Sequence, residues 1–312
     1  MPYLQGGAEV GVCGVKHIFV YPEIEGTVSD LLDAGPVGHV ASAAEECGWD
    51  GFAMTEHPAP SLNWLTNGGH QTLDPFVALG HAAAFTSRIR LITYLAVAAY
   101  RNPLLLAKAA ATLDRLSEGR FVLGLGVGYQ KGEFFALGAS YEERGALLDE
   151  ALAVLPLHWS GEPFSFQGRR FNARETIALP RPTQSPIPIW IGGNARASIE
   201  RAASRAQGWM PLFGGSDLFR TTKSPSIGTI AELASAIIQF RDLAGGRDEP
   251  LSVVVAYNAF ENVPVDEPGY HADNLQALEE VGVTHVAVTA PLTDFSETRE
   301  FLESYGSRYI AS

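Results

Sequence analysis

Residues 88–135 read RIRLITYLAVAAYRNPLLLAKAAATLDRLSEGRFVLGLGVGYQKGEFF, and the fold prediction starts from them. Two short apolar runs, residues 89–97 and 121–127, are rich in valine, isoleucine, leucine and aromatics, as strands buried on both faces are. Between them, residues 103–117 carry leucine and alanine at helical spacing behind Pro103, and Gly119 follows as a helix stop. The stretch therefore predicts a strand–helix–strand unit with two parallel strands.

The rest of the chain repeats this unit. Further strand patterns occupy residues 15–21, 51–56, 187–192, 208–212, 251–257 and 284–289, with helical patterns between them. Eight strands that each precede a helix favour an α/β fold of the (β/α)8 TIM barrel type, and a doubly wound open sheet is the alternative. We expect one domain over residues 1–312, with insertions at about 159–186 and 213–226, the second of them a mobile loop.

Composition narrows the function classes. The net charge of −13 argues against nucleic acid or an anionic membrane surface as a partner. Cys13 and Cys47 have no metal or redox spacing, and the histidines show neither HxH nor HExxH spacing, so we expect free thiols and no metal. The N-terminus lacks a signal-peptide pattern and no apolar run reaches membrane-spanning length, which predicts a cytoplasmic, soluble protein.

The active site of such a barrel lies at the C-terminal ends of its strands. That rule selects a Glu56-His57 pair, two glycine turns and several tyrosines. The long loop after His57 contains Trp64 and His70, which suits a wall of the site. These assignments use position in the predicted barrel alone.

Three stretches together resemble the bacterial luciferase-like oxidoreductases, and they occur in that family's order. They are EECGWDGFAMTEH (residues 45–57), TYLAVAAYRNPLLLAKAAATLDRLSEGRFVLGLGVGYQKGEF (93–134) and PIPIWIGGNARASIERAASRAQGWMPL (186–212). The resemblance implies a (β/α)8 enzyme that uses FMN or the deazaflavin coenzyme F420. It also implies chemistry between flavin monooxygenation and hydride transfer.

The resemblance places His57 beside the cofactor ring, where an imidazole can move a proton near neutral pH; a structural histidine is the alternative. Glu56 is predicted as a second catalytic residue that orients His57 or contacts the cofactor, with a buried salt bridge as the other reading. At Tyr94-Leu95 the resemblance implies a non-prolyl cis peptide behind the ring, whereas simple barrel filling is the alternative. Trp64 and His70 are assigned to the substrate wall.

Two glycine turns complete the predicted cofactor site. The glycines of GLGVG lack the GxGxxG spacing of dinucleotide folds, and they either admit a planar ring or serve tight packing. The GGNA turn precedes a helix, so its N–H groups suit a phosphate and Arg196 suits an added contact; an ordinary βα turn is the alternative. The predicted cofactor-binding residues are Tyr94, Leu95, Val97, Gly126, Gly128, Tyr129, Gly192, Gly193, Asn194 and Ala195.

Tyr129 departs from the sugar-phosphate dehydrogenases of the family, which have an acidic residue nearby. Glu133 remains one turn further on, and a solvated or helix-capping role is as open for it as catalysis. We therefore predict an F420-dependent oxidoreductase that transfers a hydride between the cofactor and a small organic substrate. The alternatives are an FMN-dependent monooxygenase that uses O2 and a non-catalytic flavin-binding barrel. The resemblance also implies a homodimer, formed through the helices after strands two and three.

Overall fold

The computed structural model describes residues 14–25, 30–247, 249–258, 260 and 263–310. Its strands are β1 (Lys16–Val20), β2 (Ile24–Glu25), β3 (Gly51–Met54), β4 (His70–Gln71), β5 (Arg90–Thr93), β6 (Ala96–Val97), β7 (Phe121–Gly126), β8 (Phe164–Gln167), β9 (Asn172–Thr176), β10 (Ile189–Gly192), β11 (Gly208–Met210), β12 (Ser252–Tyr257) and β13 (His285–Val288). Its helices are α1 (Val37–Glu46), α2 (Leu62–Leu65), α3 (Pro75–Ala83), α4 (Pro103–Leu116), α5 (Lys131–Ala136), α6 (Arg144–Trp159), α7 (Arg196–Arg205), α8 (Ser216–Thr222), α9 (Ile230–Ala244), α10 (Pro268–Glu280) and α11 (Phe295–Tyr309).

Eight parallel strands in the described part of the chain close into a barrel. Their order is β1, β3, β5, β7, β10, β11, β12 and β13. The ring closes where β13 pairs with β1, with Phe19 opposite Val288, and where β7 pairs with β10, with Leu125 opposite Ile191. The predicted (β/α)8 barrel is confirmed, and the open-sheet alternative is wrong.

The strands separate two apolar layers. Inside the barrel, side chains such as Ile18, Ile92, Val122, Trp190 and Val254 pack on one another, so the interior is a core and not a pore. A larger cluster fills the space between the strands and the surrounding helices. Strands buried on both faces explain why the sequence has continuous apolar runs instead of alternation.

The helices begin at side-chain caps that the sequence contains. Asn102 accepts a hydrogen bond from the Leu104 N–H at the start of α4. Asp74 caps α3 in the same way, by accepting hydrogen bonds from backbone N–H groups in the first turn of that helix. In both helices proline occupies the first turn, where no N–H is needed. These caps fix the points at which the chain leaves the barrel mouth.

Three local features refine the expected pattern. The apolar run 89–97 forms two strands, β5 and β6, and the cis peptide bond that the resemblance implies between Tyr94 and Leu95 is present. Residues 164–176 form the antiparallel hairpin β8–β9, within the segment expected to be an insertion. The segment expected to be a mobile loop, residues 213–226, contains helix α8, because Phe219 is apolar and buries its ring.

None of the helices in the described residues has both the length and the apolar character that crossing a membrane requires.

Candidate active site

Two adjoining cavities open at the C-terminal ends of the barrel strands. The inner cavity, of about 200 Å³, lies between His57, Tyr94, Tyr129, Glu133 and Met210. The outer cavity, of about 720 Å³, lies between Asp33, Phe213, Asn258, Thr289 and Pro291. Both are lined by Glu23, His70, Tyr94, Pro211 and Leu212, so they form one continuous mouth.

His57 is paired with Glu133 at the inner cavity. The His57 Nδ1 lies 3.1 Å from Oε2 of Glu133, and the backbone N–H of His57 donates to Thr72 Oγ1 at 2.8 Å. A carboxylate only accepts hydrogen bonds, so Nδ1 carries the proton in this contact. The other ring nitrogen, Nε2, lies 3.4 Å from the Tyr129 hydroxyl. His57 is therefore oriented with Nε2 available as a proton acceptor.

Glu133 is a buried residue of the site and not a solvated one. Its side chain is 1% exposed. Besides His57, it accepts hydrogen bonds from the Tyr100 hydroxyl at 3.0 Å and from the Ala59 N–H at 3.3 Å. The solvated reading of Glu133 was wrong, because helix α5 turns its first carboxylate inward beneath His57.

Glu56 is held by other partners. Its carboxylate pairs with the Arg101 guanidinium and accepts the Val97 N–H at 2.7 Å. Burial raises the pKa of Glu56, and the charge of Arg101 opposes that rise. The salt-bridge reading of Glu56 is confirmed, and because Glu56 also lines the inner cavity, its contact with the cofactor stays a prediction. The carboxylate that orients His57 is Glu133, so the prediction that Glu56 does so is corrected.

A second histidine–carboxylate pair joins the two cavities. The His70 Nε2 lies 3.2 Å from Oε2 of Glu23. Burial acts to raise the pKa of Glu23, but the neighbouring His70 and Thr55 side chains outweigh it and hold that pKa below its usual range. Glu23 is not among the predicted site residues, because it lies two residues beyond the first predicted strand, which ends at Tyr21.

Trp64, which was assigned to the substrate wall together with His70, packs against both histidines. The rings of His57 and His70 are 4.9 Å apart at 82°, and Trp64 packs on both, at 4.3 Å and 5.1 Å between ring centroids. Burial and nearby carboxylates raise the pKa of Tyr129 and of Tyr100. Both tyrosines therefore stay protonated near neutral pH and can donate hydrogen bonds.

The floor of the inner cavity is apolar and surrounds Leu95. Leu95 follows the cis bond and packs on the barrel interior. A Cβ on Gly192 would collide with the Leu95 side chain, and one on Gly126 would lie 3.2 Å from its Cδ1. Both glycines therefore make room for the Leu95 side chain. Val97, Gly126 and Gly128 line the same cavity.

The turn at residues 192–195 is tied to the neighbouring loop. The Gly193 N–H donates to the Met210 carbonyl at 3.1 Å. The Asn194 amide donates to the carbonyls of Leu212 at 2.7 Å and Pro225 at 2.8 Å, and its oxygen accepts the Leu212 N–H. The N–H of Gly193 is therefore not free to bind a phosphate, which corrects that part of the prediction.

The helix that follows this turn begins outside both cavities. Ala195 is the N-cap of α7, and neither it nor the other turn residues line the inner cavity. The Arg196 guanidinium forms an exposed ion pair with Glu200 at 2.7 Å, and its contact with a phosphate stays a prediction. The residues that remain suited to an anion are Asn194, Ala195 and the first turn of α7.

In the described part of the chain, histidine, cysteine and carboxylate side chains form no group of three or more that could hold a metal ion. Cys47 is a free thiol, and Cys13 lies outside the described residues.

Comparison with known proteins places this site in a family. A family model described as luciferase-like monooxygenase matches residues 17–223. An F420-dependent glucose-6-phosphate dehydrogenase of Kineococcus radiotolerans is 33% identical over 198 residues, which cover 62% of this chain and 57% of that one.

Two solved structures share the fold. Monooxygenase RslO1 from Streptomyces bottropensis superposes with a TM-score of 0.75 at 21% identity, covering 94% of this chain and 98% of that one. The oxygenating constituent of 3,6-diketocamphane monooxygenase from Pseudomonas putida, in complex with FMN, gives 0.71 at 16% identity, covering 96% and 100%. At these identities the two structures show only a shared fold. The match of the family model over residues 17–223 supplies the sequence evidence for the family. The chain belongs to the luciferase-like monooxygenase family.

Proposed function

We propose that this protein is a deazaflavin (F420)-dependent oxidoreductase that transfers a hydride between the cofactor and a small organic substrate. The observation that carries the proposal is the His57–Glu133 pair at the inner cavity. An imidazole whose second nitrogen is held by a buried carboxylate is suited to accept and return one proton, which hydride transfer to or from an alcohol requires. The relative from Kineococcus radiotolerans supports the choice of F420.

The residues of the inner cavity fit a planar cofactor ring. Its floor is apolar at Leu95, Gly126 and Met210, while His57 and Tyr129 supply polar groups on its wall. A flat, largely apolar surface with a few fixed polar groups is what ring cofactors bind. When bound, a deazaflavin supplies a two-electron hydride acceptor or donor.

The chain's own residues handle the proton. For oxidation of an alcohol, the hydroxyl proton moves to Nε2 of His57 while the carbon loses its hydride, and a carbonyl product forms. The negative charge of Glu133 stabilises the imidazolium that results, and the Tyr100 hydroxyl holds that carboxylate in place. In the reverse direction the same proton returns to the carbonyl oxygen.

Two aromatic residues prepare His57 for this step. Trp64 packs on its ring at 4.3 Å and restricts its orientation. The protonated Tyr129 hydroxyl lies 3.4 Å from Nε2. A substrate oxygen can therefore take the place of this hydroxyl beside Nε2, or bind Nε2 together with it.

Monooxygenation with reduced FMN and O2 is the second candidate function. The family description and the shared fold with an FMN-bound monooxygenase favour it. The same inner cavity accepts either ring, since F420 and FMN share the ring framework. The two functions differ in their dependence on O2, because a reduced deazaflavin reacts poorly with it.

The deciding experiment titrates the purified protein with F420 and with FMN separately, then follows reduction of the bound cofactor by a panel of alcohols without O2. We expect tight F420 binding and substrate-dependent reduction. Tight binding of FMN, with oxygenation that depends on O2 and a flavin reductase, would refute the proposal. Binding of a cofactor that never exchanges electrons with any donor or acceptor would indicate a non-catalytic barrel.

A further inference from the structure

The outer cavity has mostly apolar walls. Its lining includes Leu212, Phe213, Leu218, Pro291 and Leu292, contributed by the segments after β11 and β13. Its volume of about 720 Å³ lies within the range of small-molecule sites, and it opens directly into the inner cavity beside His70 and Tyr94. An apolar body of eight or more carbon atoms therefore has room next to the reacting groups.

The charged groups at the mouth are mainly carboxylates. Glu23, Asp33, Glu56 and Glu133 line the two cavities. Among the described residues, neither lysine nor arginine lines either cavity. Glu23 is held in its charged form by His70 and Thr55.

Among the described side chains, each cation that contacts a carboxylate of the mouth is already paired with it. His57 is paired with Glu133, His70 with Glu23, and Arg101 with Glu56. Asp33 at the outer cavity adds a further negative charge. Even if both imidazoles are protonated, the groups at the mouth carry a net negative charge. The sign of the field does not depend on the histidines' protonation.

We infer that the substrate is an uncharged alcohol or carbonyl compound with an apolar body, and that the mouth selects against phosphate esters and carboxylates. This rests on the proposed function, whose reacting group it specifies. Bringing an anionic substrate beside these carboxylates is unfavourable, and each described cation that contacts them is already paired. The first turn of α7, which suits the cofactor phosphate, lines neither cavity. The chain thus differs from its relative in Kineococcus radiotolerans, which is described as acting on a phosphorylated sugar.

The test uses two probes that differ by one charge, methyl 7-oxooctanoate and 7-oxooctanoate. Their binding is measured by titration calorimetry on the F420-loaded protein and on the protein alone. We expect the ester to bind at least about 30-fold more tightly than the acid. Equal or tighter binding of the acid, or the absence of any preference for the ester, would overturn the inference.

Charge-neutral variants then locate the source of selectivity. Glu23→Gln should raise the affinity for 7-oxooctanoate by about 10-fold, and Asp33→Asn by about 3-fold, because exposed Asp33 is screened by solvent. Glu46→Gln is the matched control, since Glu46 is an exposed carboxylate on α1 outside both cavities. If Glu46→Gln changes the ester-to-acid ratio as much as Glu23→Gln does, net charge and not the mouth is responsible and the inference fails.

Turnover separates this inference from the proposed function. Preferred binding of the ester without its reduction would contradict the function and leave the ligand class standing. Efficient oxidation of glucose 6-phosphate with F420 would do the opposite, since it supports the function and refutes the ligand class.

Discussion

Both ends of the barrel carry a pair of histidines, but the two pairs have different partners. At the C-terminal end, His57 lies against Glu133 and His70 against Glu23. At the N-terminal end the side-chain partners are hydroxyls. A carboxylate favours the imidazolium form that proton transfer produces, whereas a hydroxyl does so weakly. Under the proposed function, the partner and not the histidine distinguishes the reactive end.

The N-terminal pair is built to stay neutral. The His17 Nδ1 lies 2.8 Å from the Tyr305 hydroxyl, and the His285 Nδ1 lies 2.8 Å from Thr284 Oγ1. Burial lowers the pKa of His17 to about 4, and burial with the charges of Lys16 and other cations lowers that of His285 to about 3. These histidines contribute packing and hydrogen bonds, which agrees with the structural role of this end in TIM barrels.

The largest expected effect tests the comparison directly. His57→Ala should lower turnover by roughly 100-fold or more, the scale of a positioned general base, while F420 affinity changes by less than about 10-fold. His285→Gln, at the other end, should leave turnover within about twofold. Rates are followed by F420 absorbance with the first substrate that an alcohol panel yields. Equal losses in the two variants would remove the distinction between the ends.

The second test concerns the carboxylate partner. Glu133→Gln keeps the shape of the site but removes the charge that stabilises the imidazolium, so turnover should fall by about 30-fold. Glu150→Gln is the matched control, because Glu150 is another buried carboxylate, bonded to the N–H groups of Arg170 and Phe171 away from the mouth. Full activity in Glu133→Gln would mean that His57 acts without its partner.

The third test measures the neutral pair through stability. At pH 5 an unfolded histidine binds a proton, whereas folded His17, with a pKa of about 4, does not. The stability that neutral His17 contributes is therefore fully present above about pH 6.5 and is lost as the pH falls toward 4. Between pH 7 and pH 5 the free energy of unfolding falls by about 2 kcal/mol for this reason. Urea unfolding of His17→Gln should show a flatter dependence on pH over that range, while exposed His39→Gln retains the wild-type slope. An unchanged slope in His17→Gln would show that His17 is protonated in the folded state.

The sequence predicts the barrel well because its strands are buried on both faces and read as continuous apolar runs. It also selects His57, since a strand end is a position that spacing alone defines. It does not show that α5 turns Glu133 inward, or that Glu56 is held by Arg101. Those contacts join residues 76 and 45 positions apart, so they depend on how separate loops meet above the barrel. The partners that distinguish the two ends are therefore visible only in three dimensions.

The fourth test examines the turn at residues 192–195. Asn194 holds the loop 211–225 against the turn through three hydrogen bonds. If the first turn of α7 binds the cofactor phosphate, F420 should bind about 10-fold more tightly than a deazaflavin lacking that phosphate, and Asn194→Ala should reduce the difference. Fluorescence titration of both compounds measures it. Equal affinities in the wild type would place the phosphate elsewhere.

The smallest effect on turnover is expected from a substitution on the side of the barrel, between its two ends. Helices α3 and α4 expose Val77 at 73%, Leu105 at 68% and Leu116 at 63%, an apolar face that a second copy of the chain would cover. We propose a homodimer through this face, as the resemblance implies. Light scattering at micromolar concentration should give twice the chain mass, and Leu105→Glu should halve it. Ile238→Glu, which charges an exposed residue on α9, is the control and should leave the mass unchanged. Because such a dimer leaves both barrel ends open, the Leu105→Glu monomer should retain turnover within about twofold. A large loss would mean that the partner supports the mouth, and that the reactive end is not complete in one chain.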